Sequence, residues 1–240
     1  MKICIDAGHN YSGFDTGAER NGLREQDITF VVAQKLNELL QSVGVKTVMT
    51  RPTLHTNLGT NEKEAVNERY RIANKNNCDL FISIHTDSFH QPSARGTSTL
   101  IYGKGGKAER LAEKVSSSLI RNMGLTDRGI KVRTDLAVLK YTNMPAILVE
   151  LAFISNPEEA KLLNTKPDEF AEAIFEGVCE HLNLIKKTPQ APIKGIQDIV
   201  FELADKKILS ETDKWIKKCN IDEDVYWLCY KMANYLRGTL

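Results

Sequence analysis

The chain has 240 residues, of which 42% are hydrophobic and 26% are charged, a balance typical of a globular protein rather than a disordered or fibrous one. Its 32 lysines and arginines nearly balance 31 acidic residues, so a net charge of +1 offers no broad basic surface for nucleic acid. No run approaches the roughly 18 apolar residues of a membrane span. The first ten residues lack the apolar core and cleavage site of a secretory signal. We therefore expect a chain made in the cytosol without a signal peptide, with no membrane span and no nucleic acid partner.

The first half of the chain alternates between short apolar segments and segments with helical spacing. Residues 2–6 and 45–50 have the pattern of β-strands, and between them apolar side chains recur at helical intervals across residues 31–43. The same spacing appears across residues 61–76, which are followed by a strongly apolar predicted strand at 79–85. This order predicts consecutive strand–helix–strand units.

The alternation continues through the second half. Residues 98–102, 137–139 and 146–150 are predicted to be strands, and residues 108–123 and 167–184 have the periodicity of amphipathic helices. Alternating elements of this kind predict an α/β fold, in which helices cover both faces of a largely parallel sheet.

A change of composition follows the last of these helices. Residues 186–194, KKTPQAPIK, contain two prolines and three lysines without an acidic residue, which predicts an extended linker. Residues 195–240 again show helical spacing and predict a small all-α C-terminal module. The predicted organisation is therefore a main domain at 1–185, a linker at 186–194 and a helical module at 195–240.

Four ionisable side chains are predicted to meet at one edge of the sheet. His9 follows the first strand, His85 ends the third strand, Glu150 ends a later one, and Glu25 opens the first helix. Ligand sites of α/β sheets gather at the carboxyl ends of the strands. Two imidazoles and one carboxylate are ligands that zinc accepts, so we interpret His9, Glu25 and His85 as holding one Zn²⁺ per chain. Zinc would lower the pKa of a water molecule to about 7, and Glu150 is then the candidate general base for hydrolysis of an amide.

The motifs around these residues resemble a known family. They are DAGHN at 6–10, RE at 24–25, SIH at 83–85, RGIK at 128–131, VE at 149–150 and FISNPEE at 153–159. In order and approximate spacing they resemble the zinc-dependent N-acetylmuramoyl-L-alanine amidases, often called amidase type 3, over about residues 1–184. The resemblance implies a twisted mixed sheet of about six strands flanked by helices. It also implies zinc ligands at His9, Glu25 and His85 and a catalytic glutamate at Glu150.

The implied reaction cleaves the amide between the lactyl group of N-acetylmuramic acid and L-alanine, the first residue of the peptidoglycan stem peptide. A zinc peptidase acting on the stem peptide and a non-catalytic cell-wall-binding protein are the alternatives. Arg128 and Lys131, expected in a loop facing the cleft, are candidate contacts to the acidic stem peptide. The family usually has asparagine two residues after the second histidine, where this chain has Asp87.

The C-terminal module faintly resembles helical segments appended to Gram-positive wall hydrolases. It holds six of the chain's 17 aromatic residues, including both tryptophans. We expect it either to bind the cell wall or to self-associate into homo-oligomers. Because peptidoglycan lies outside the membrane, we expect the protein to reach the wall by release, as a phage-type endolysin does, or by export, as an autolysin does.

Overall fold

The computed structural model describes residues 1–184, so the predicted linker at 186–194 and the predicted module at 195–240 lie outside the described residues. Within residues 1–184, no helix is both long enough and apolar enough to cross a membrane. In chain order the elements are β1 (Lys2–Ala7), β2 (Glu19–Arg20), β3 (Leu23–Arg24), α1 (Glu25–Ser42), β4 (Lys46–Met49), α2 (Glu62–Lys75), β5 (Leu80–Asp87), β6 (Thr97–Ile101), α3 (Lys107–Met123), β7 (Asp127–Val132), α4 (Ala137–Lys140), β8 (Ala146–Phe153), α5 (Pro157–Thr165) and α6 (Pro167–Leu182).

The main sheet has six strands in the order β4-β1-β5-β8-β6-β7. Neighbouring strands are parallel, except that β6 runs antiparallel to β8. Strands β1, β5 and β8 are buried along nearly their whole length, as expected for parallel strands that are covered on both faces. The prediction of an α/β fold with a mixed, largely parallel sheet is confirmed.

Helices cover both faces of this sheet because side chains alternate along each strand. Ile3 and Ile5 of β1 point into the larger core, which also contains buried side chains of α1, α3 and α6. Cys4, between them, belongs to the smaller core on the other face, with side chains of α2 and α4. The carboxyl ends of β1, β5 and β8 are therefore adjacent at one edge of a layer that is packed on both sides.

The prediction of a strand at 137–139 is wrong. These residues form the short helix α4, in which the carbonyl of Leu136 accepts the N–H groups of Leu139 and Lys140 at 3.1 and 2.9 Å. Val138 and Leu139 are both buried in the same core. Adjacent residues of a strand point to opposite faces, so the helical turn is what buries both side chains together.

Two further elements differ from the predictions. Arg128 and Lys131 lie in the edge strand β7 rather than in a loop. This strand is exposed or half-buried throughout and half of its residues are charged, so it lacks the apolar pattern by which strands were recognised. The helix α5 was not predicted, although Asn156 caps it by accepting the N–H groups of Glu158 and Glu159 and Pro157 occupies its first turn.

A buried ion pair ties β1 to α2. Asp6 accepts a hydrogen bond from the Arg69 guanidinium at 2.8 Å, and the exposed fractions of the two residues are 0% and 3%. The hydroxyls of Ser83 and Thr50 donate to the same carboxylate at 2.6 and 2.7 Å. Burial opposes ionisation of Asp6, but the charge of Arg69 and the two hydroxyls outweigh it and hold the pKa of Asp6 below its ordinary value.

The substitution Asp6→Asn is expected to lower the hydrogen-exchange protection of the β1 amides at pH 7 by at least about 100-fold. Removing one partner leaves the buried charge of Arg69 uncompensated, at a cost of about 3–5 kcal/mol. Because the pKa of Asp6 is lowered in the folded protein, this stabilisation is complete above about pH 4 and is lost as the pH falls further.

The measurement is amide hydrogen exchange of the full-length chain at pH 7 and at about pH 3, where the difference between parent and variant should shrink. Glu68→Gln is the control, because it removes an exposed partner of Arg71 at 2.9 Å and should change protection little. Equal protection of parent and Asp6→Asn at pH 7 would contradict the role of the buried pair.

Candidate metal centre

The three side chains predicted to hold a metal lie together at the carboxyl edge of the sheet. His9 follows β1, Glu25 is the first residue of α1, and His85 lies near the end of β5. The atom His9 Nε2 is 3.1 Å from Glu25 Oε1, and His85 Nδ1 is 3.3 Å from the same oxygen. The two ring nitrogens are 3.2 Å apart. The three donor atoms therefore form a nearly equilateral triangle.

The size of this triangle fits a tetrahedral metal ion. Ligand atoms at 2.0–2.1 Å from a tetrahedral zinc are about 3.3–3.4 Å from one another. The observed separations of 3.1, 3.2 and 3.3 Å are close to this value. The exposed fractions of the side chains are 19% for His9, 18% for His85 and 5% for Glu25. Three converging donors with limited solvent access leave room for a fourth ligand from the solvent side.

Two glycines let the donor residues approach one another. A Cβ atom on Gly8 would lie 2.6 Å from the His85 ring and 2.7 Å from the carbonyl oxygen of Ile84. Gly17, at φ +75°, would place a Cβ 2.6 Å from the His9 ring. Side chains at either position would displace a proposed ligand, so these sites require glycine.

Asp15 orients the first histidine. Its carboxylate accepts a hydrogen bond from His9 Nδ1 at 2.8 Å, so that in the neutral ring the lone pair of Nε2 is directed into the triangle. The other oxygen of Asp15 is 3.6 Å from the guanidinium of Arg69. The sequence analysis missed Asp15, although an acidic residue six positions after His9 in a glycine-rich loop was a usable signal.

Backbone groups orient the glutamate. Glu25 Oε1 accepts the N–H of Thr86, the residue that follows His85, at 2.9 Å. Glu25 Oε2 accepts the N–H of Ala18, also at 2.9 Å. The carboxylate is therefore held by two backbone amides, one in β5 and one in the loop before β2.

The electrostatics of the triangle favour positive charge. Burial opposes the charged form of His9, but hydrogen bonds to Asp15 and Glu25 outweigh it and raise the pKa of His9 to about 9. Burial also opposes ionisation of Glu25, and both histidines outweigh it, so the pKa of this carboxyl lies well below its usual range. The negative charges that stabilise a proton on these donors would also stabilise a bound cation in its place.

Glu150 lies beside the triangle on the next strand. Its Cα is paired with that of His85 across β5 and β8. Among the described residues, the buried oxygen Oε2 of Glu150 has no hydrogen-bond partner. Burial, followed by the negative charges of Glu25 and Asp87, raises the pKa of Glu150 to about 8. Such a carboxyl group is poised to exchange a proton with a bound molecule.

The two basic candidates lie at the same edge of the sheet. Lys131 Nζ donates to the Ser98 hydroxyl at 3.3 Å, and Ser98 is paired with Glu150 across β6 and β8. The charge of Lys131 acts on the Glu150 carboxyl group and opposes the rise of its pKa. The guanidinium of Arg128 lies 4.8 Å from the centre of the Phe153 ring. The structure therefore places Lys131 near Glu150 and Arg128 farther along β8.

Comparison with known proteins identifies a family over nearly all of the described domain. The N-acetylmuramoyl-L-alanine amidase family matches residues 3–180. The endolysin of Bacillus phage SPP1 is 35% identical over 199 residues, which cover 78% of this chain and 68% of that protein. The germination-specific N-acetylmuramoyl-L-alanine amidase of Bacillus subtilis (strain 168) is 31% identical over 189 residues, covering 75% of this chain and 78% of that protein.

A solved structure shows the same similarity in three dimensions. The CwlD amidase of Clostridioides difficile, in complex with the GerS lipoprotein, aligns with a TM-score of 0.71 at 30% identity. The alignment covers 77% of this chain and 99% of that one. The shared part corresponds in extent to the α/β domain described above.

The substitution Asp15→Asn is expected to weaken zinc binding by about 10–100-fold, because an amide no longer holds the His9 ring in the required tautomer with the same strength. The measurement is competition for zinc between the full-length chain and a chromophoric chelator. Asp168→Asn makes the same chemical change in an exposed pair with Lys35 and should leave the affinity unchanged. Equal affinities for parent and Asp15→Asn would show that Asp15 does not support the metal centre.

Proposed function

We propose a role for each residue of this site on the premise that the chain belongs to the N-acetylmuramoyl-L-alanine amidase family. The chain hydrolyses an amide of peptidoglycan, the one that joins the lactyl group of N-acetylmuramic acid to L-alanine. One observation carries the assignment of roles: among residues 1–184, Glu150 has a buried oxygen without a hydrogen-bond partner beside the triangle of candidate metal ligands His9, Glu25 and His85.

His9, Glu25 and His85 would hold a zinc ion, since their nitrogen and oxygen donors have suitable types and separations. When bound, zinc supplies Lewis acidity that polarises the lactyl carbonyl and makes hydroxide available at neutral pH. The protein contributes the rigidity of the donor set. Asp15 holds the ring of His9, and the amide of Thr86 holds the carboxylate of Glu25.

Glu150 acts as general base and then as general acid. Its carboxylate takes a proton from the attacking water and returns it to the amine of the departing L-alanine. Within the described residues no group donates a hydrogen bond to Oε2, so the protein itself leaves the acceptor capacity of this oxygen unused. A cation at the triangle offsets the charge of Glu25, which favours the ionised form of Glu150 that the first step needs.

The names of the relatives support the cell wall as the place of action. They include an endolysin and a germination-specific N-acetylmuramoyl-L-alanine amidase. Whether the protein reaches the wall by release or by export stays a prediction. A peptidase acting within the stem peptide is the second candidate for the bond cleaved, and it is distinguished by the end groups released. Wall binding or self-association by residues 195–240 stays a prediction, because these residues lie outside the described part of the chain.

The substitution Glu150→Gln is expected to lower kcat by at least about 100-fold, because it removes the group that moves the proton. Zinc content should stay at the parent level, since Glu150 is not among the three grouped donors. Release of N-terminal alanine from purified walls and metal analysis give the two readouts. Glu158→Gln, at an exposed position of α5, is the matched control. A Glu150→Gln variant that hydrolysed walls at nearly the parent rate would contradict the assignment.

Chelation of the full-length protein is expected to abolish the loss of turbidity of a Gram-positive wall suspension, and added zinc should restore it. New alanine amino groups in the soluble products would mark the lactyl amide as the bond cleaved. New end groups elsewhere in the stem peptide would favour the peptidase instead. Undiminished lysis after complete removal of metal would contradict the zinc mechanism.

A further inference from the structure

A pocket of about 340 Å³ lies next to the metal centre, at the ends of β5 and β8. Asp87 and Phe153 line it and are paired across the two strands. They lie two and three residues beyond the pair formed by His85 and Glu150. At about 3.3 Å per strand residue, the pocket therefore begins roughly 7–10 Å from that pair.

The wall of the pocket is held in place by the segment that follows β8. The hydroxyl of Ser155 accepts the N–H of Phe89 at 3.0 Å, and the side-chain amide of Asn156 donates to the carbonyl of Pro92 at 2.8 Å. The buried carboxylate of Glu159 accepts the N–H of Gly96 at 2.7 Å. These bonds fasten the connection between β5 and β6 at three points. The pocket is thus preformed, and the FISNPEE motif supplies the fastening groups.

The chemistry of the pocket is that of an anion site on an aromatic floor. The guanidinium of Arg128 stacks on Phe153, and one of its N–H groups donates to the carbonyl of Arg95 at 3.2 Å. The other guanidinium N–H groups have no acceptor within residues 1–184. A guanidinium fixed by stacking presents a planar pair of donors that matches a carboxylate. Asp87, nearer the metal centre, offers an acceptor for a donor N–H group.

The spacing matches a peptide that starts at the scissile bond. An extended chain spans at most about 3.3–3.6 Å per residue. The second stem residue therefore lies about 7 Å beyond the scissile amide, where Glu150 is proposed to act. On the sugar side, the lactyl carboxyl is consumed in the scissile amide itself. A free carboxylate is therefore available to Arg128 only from the peptide side.

We propose that this pocket binds the second residue of the stem peptide and that Arg128 recognises a free α-carboxylate on it. Asp87 accepts a backbone N–H of the peptide, and the rings of Phe153 and the half-exposed Phe89 cover its aliphatic part. The enzyme then distinguishes stem peptides with a free carboxylate from those in which this group is amidated. This inference rests on the proposed function and names a specificity-determining residue for it.

The test compares two synthetic substrates, N-acetylmuramoyl-L-alanyl-D-isoglutamyl-L-lysinamide and N-acetylmuramoyl-L-alanyl-D-isoglutaminyl-L-lysinamide. Because the third residue occupies the γ-carboxyl group, the two differ only in a free α-carboxylate against an α-carboxamide. The zinc-loaded full-length parent is expected to show about tenfold higher kcat/KM for the carboxylate substrate, because charge-assisted hydrogen bonds are the stronger ones. Arg128→Met, which keeps the contact with Phe153, should remove this preference through KM with kcat little changed. Arg128→Lys should keep part of it.

Arg121→Met is the matched control, because it removes an exposed arginine whose partners are Glu176 and Glu180 on α6. It should leave both substrates unaffected. Equal kcat/KM for the two substrates with the parent protein would overturn the inference. A loss in Arg128→Met that is equal for both substrates would overturn it as well, since that result indicates a structural role only.

A binding measurement separates this inference from the proposed function. Calorimetric titration of the full-length chain with the peptide L-alanyl-D-isoglutamyl-L-lysinamide should show binding that weakens about tenfold in Arg128→Met and not in Arg121→Met. Cleavage of neither substrate together with this binding pattern would refute the amidase mechanism and support the pocket. Cleavage of both substrates without Arg128-dependent binding would support the amidase mechanism and refute the proposed role of the pocket.

Discussion

The guanidinium of Arg69 connects the packing of the sheet to the geometry of the metal centre. One of its nitrogens donates to Asp6 in β1 at 2.8 Å, and the other lies 3.6 Å from Asp15. Asp15 in turn holds the ring of His9 at 2.8 Å. Because a buried cation is tolerated only beside compensating acceptors, α2, β1 and the loop that carries His9 have to keep these relative positions. The orientation of His9, a proposed metal ligand, is thus a consequence of satisfying a buried charge.

The site combines His9 and Glu25, which stabilise each other's charged forms, with a second carboxyl group, Glu150, whose ionisation is opposed by burial and by the charge of Glu25. Donor atoms of His9, Glu25 and His85 lie 3.1–3.3 Å apart. Glu150 contributes a second buried carboxyl group, one oxygen of which has no hydrogen-bond partner in the part of the chain that the structure describes. Such an arrangement costs folding free energy, which the well-packed cores on both faces of the sheet offset. A buried carboxyl group with a raised pKa is a feature that catalytic sites use and that structural packing alone would not retain.

Local sequence patterns predicted the strands that are covered on both faces. They failed for elements whose burial depends on their position in the sheet or on contact with another helix. Strands β1, β5 and β8 are apolar along their length because both faces are covered, and all three were predicted. The edge strand β7 is exposed or half-buried, so half of its residues can be charged, and its pattern carries no strand signal. The segment at 137–139 has strand-like residues, but contact with α2 buries two adjacent side chains and selects a helical turn.

The sequence by itself determined which residue types follow each strand, and therefore that His9, His85 and Glu150 share one edge of the sheet. It did not determine the distances among them, the ring nitrogen that each histidine presents, or the support that Asp15 provides, because these follow from side-chain hydrogen bonds within the folded loops. The pocket was decided by tertiary structure alone. Asp87, Arg128 and Phe153 meet only because β6 runs antiparallel beside β8 and brings β7 to the same edge. Strand order and direction are properties of long-range pairing, which no local pattern encodes.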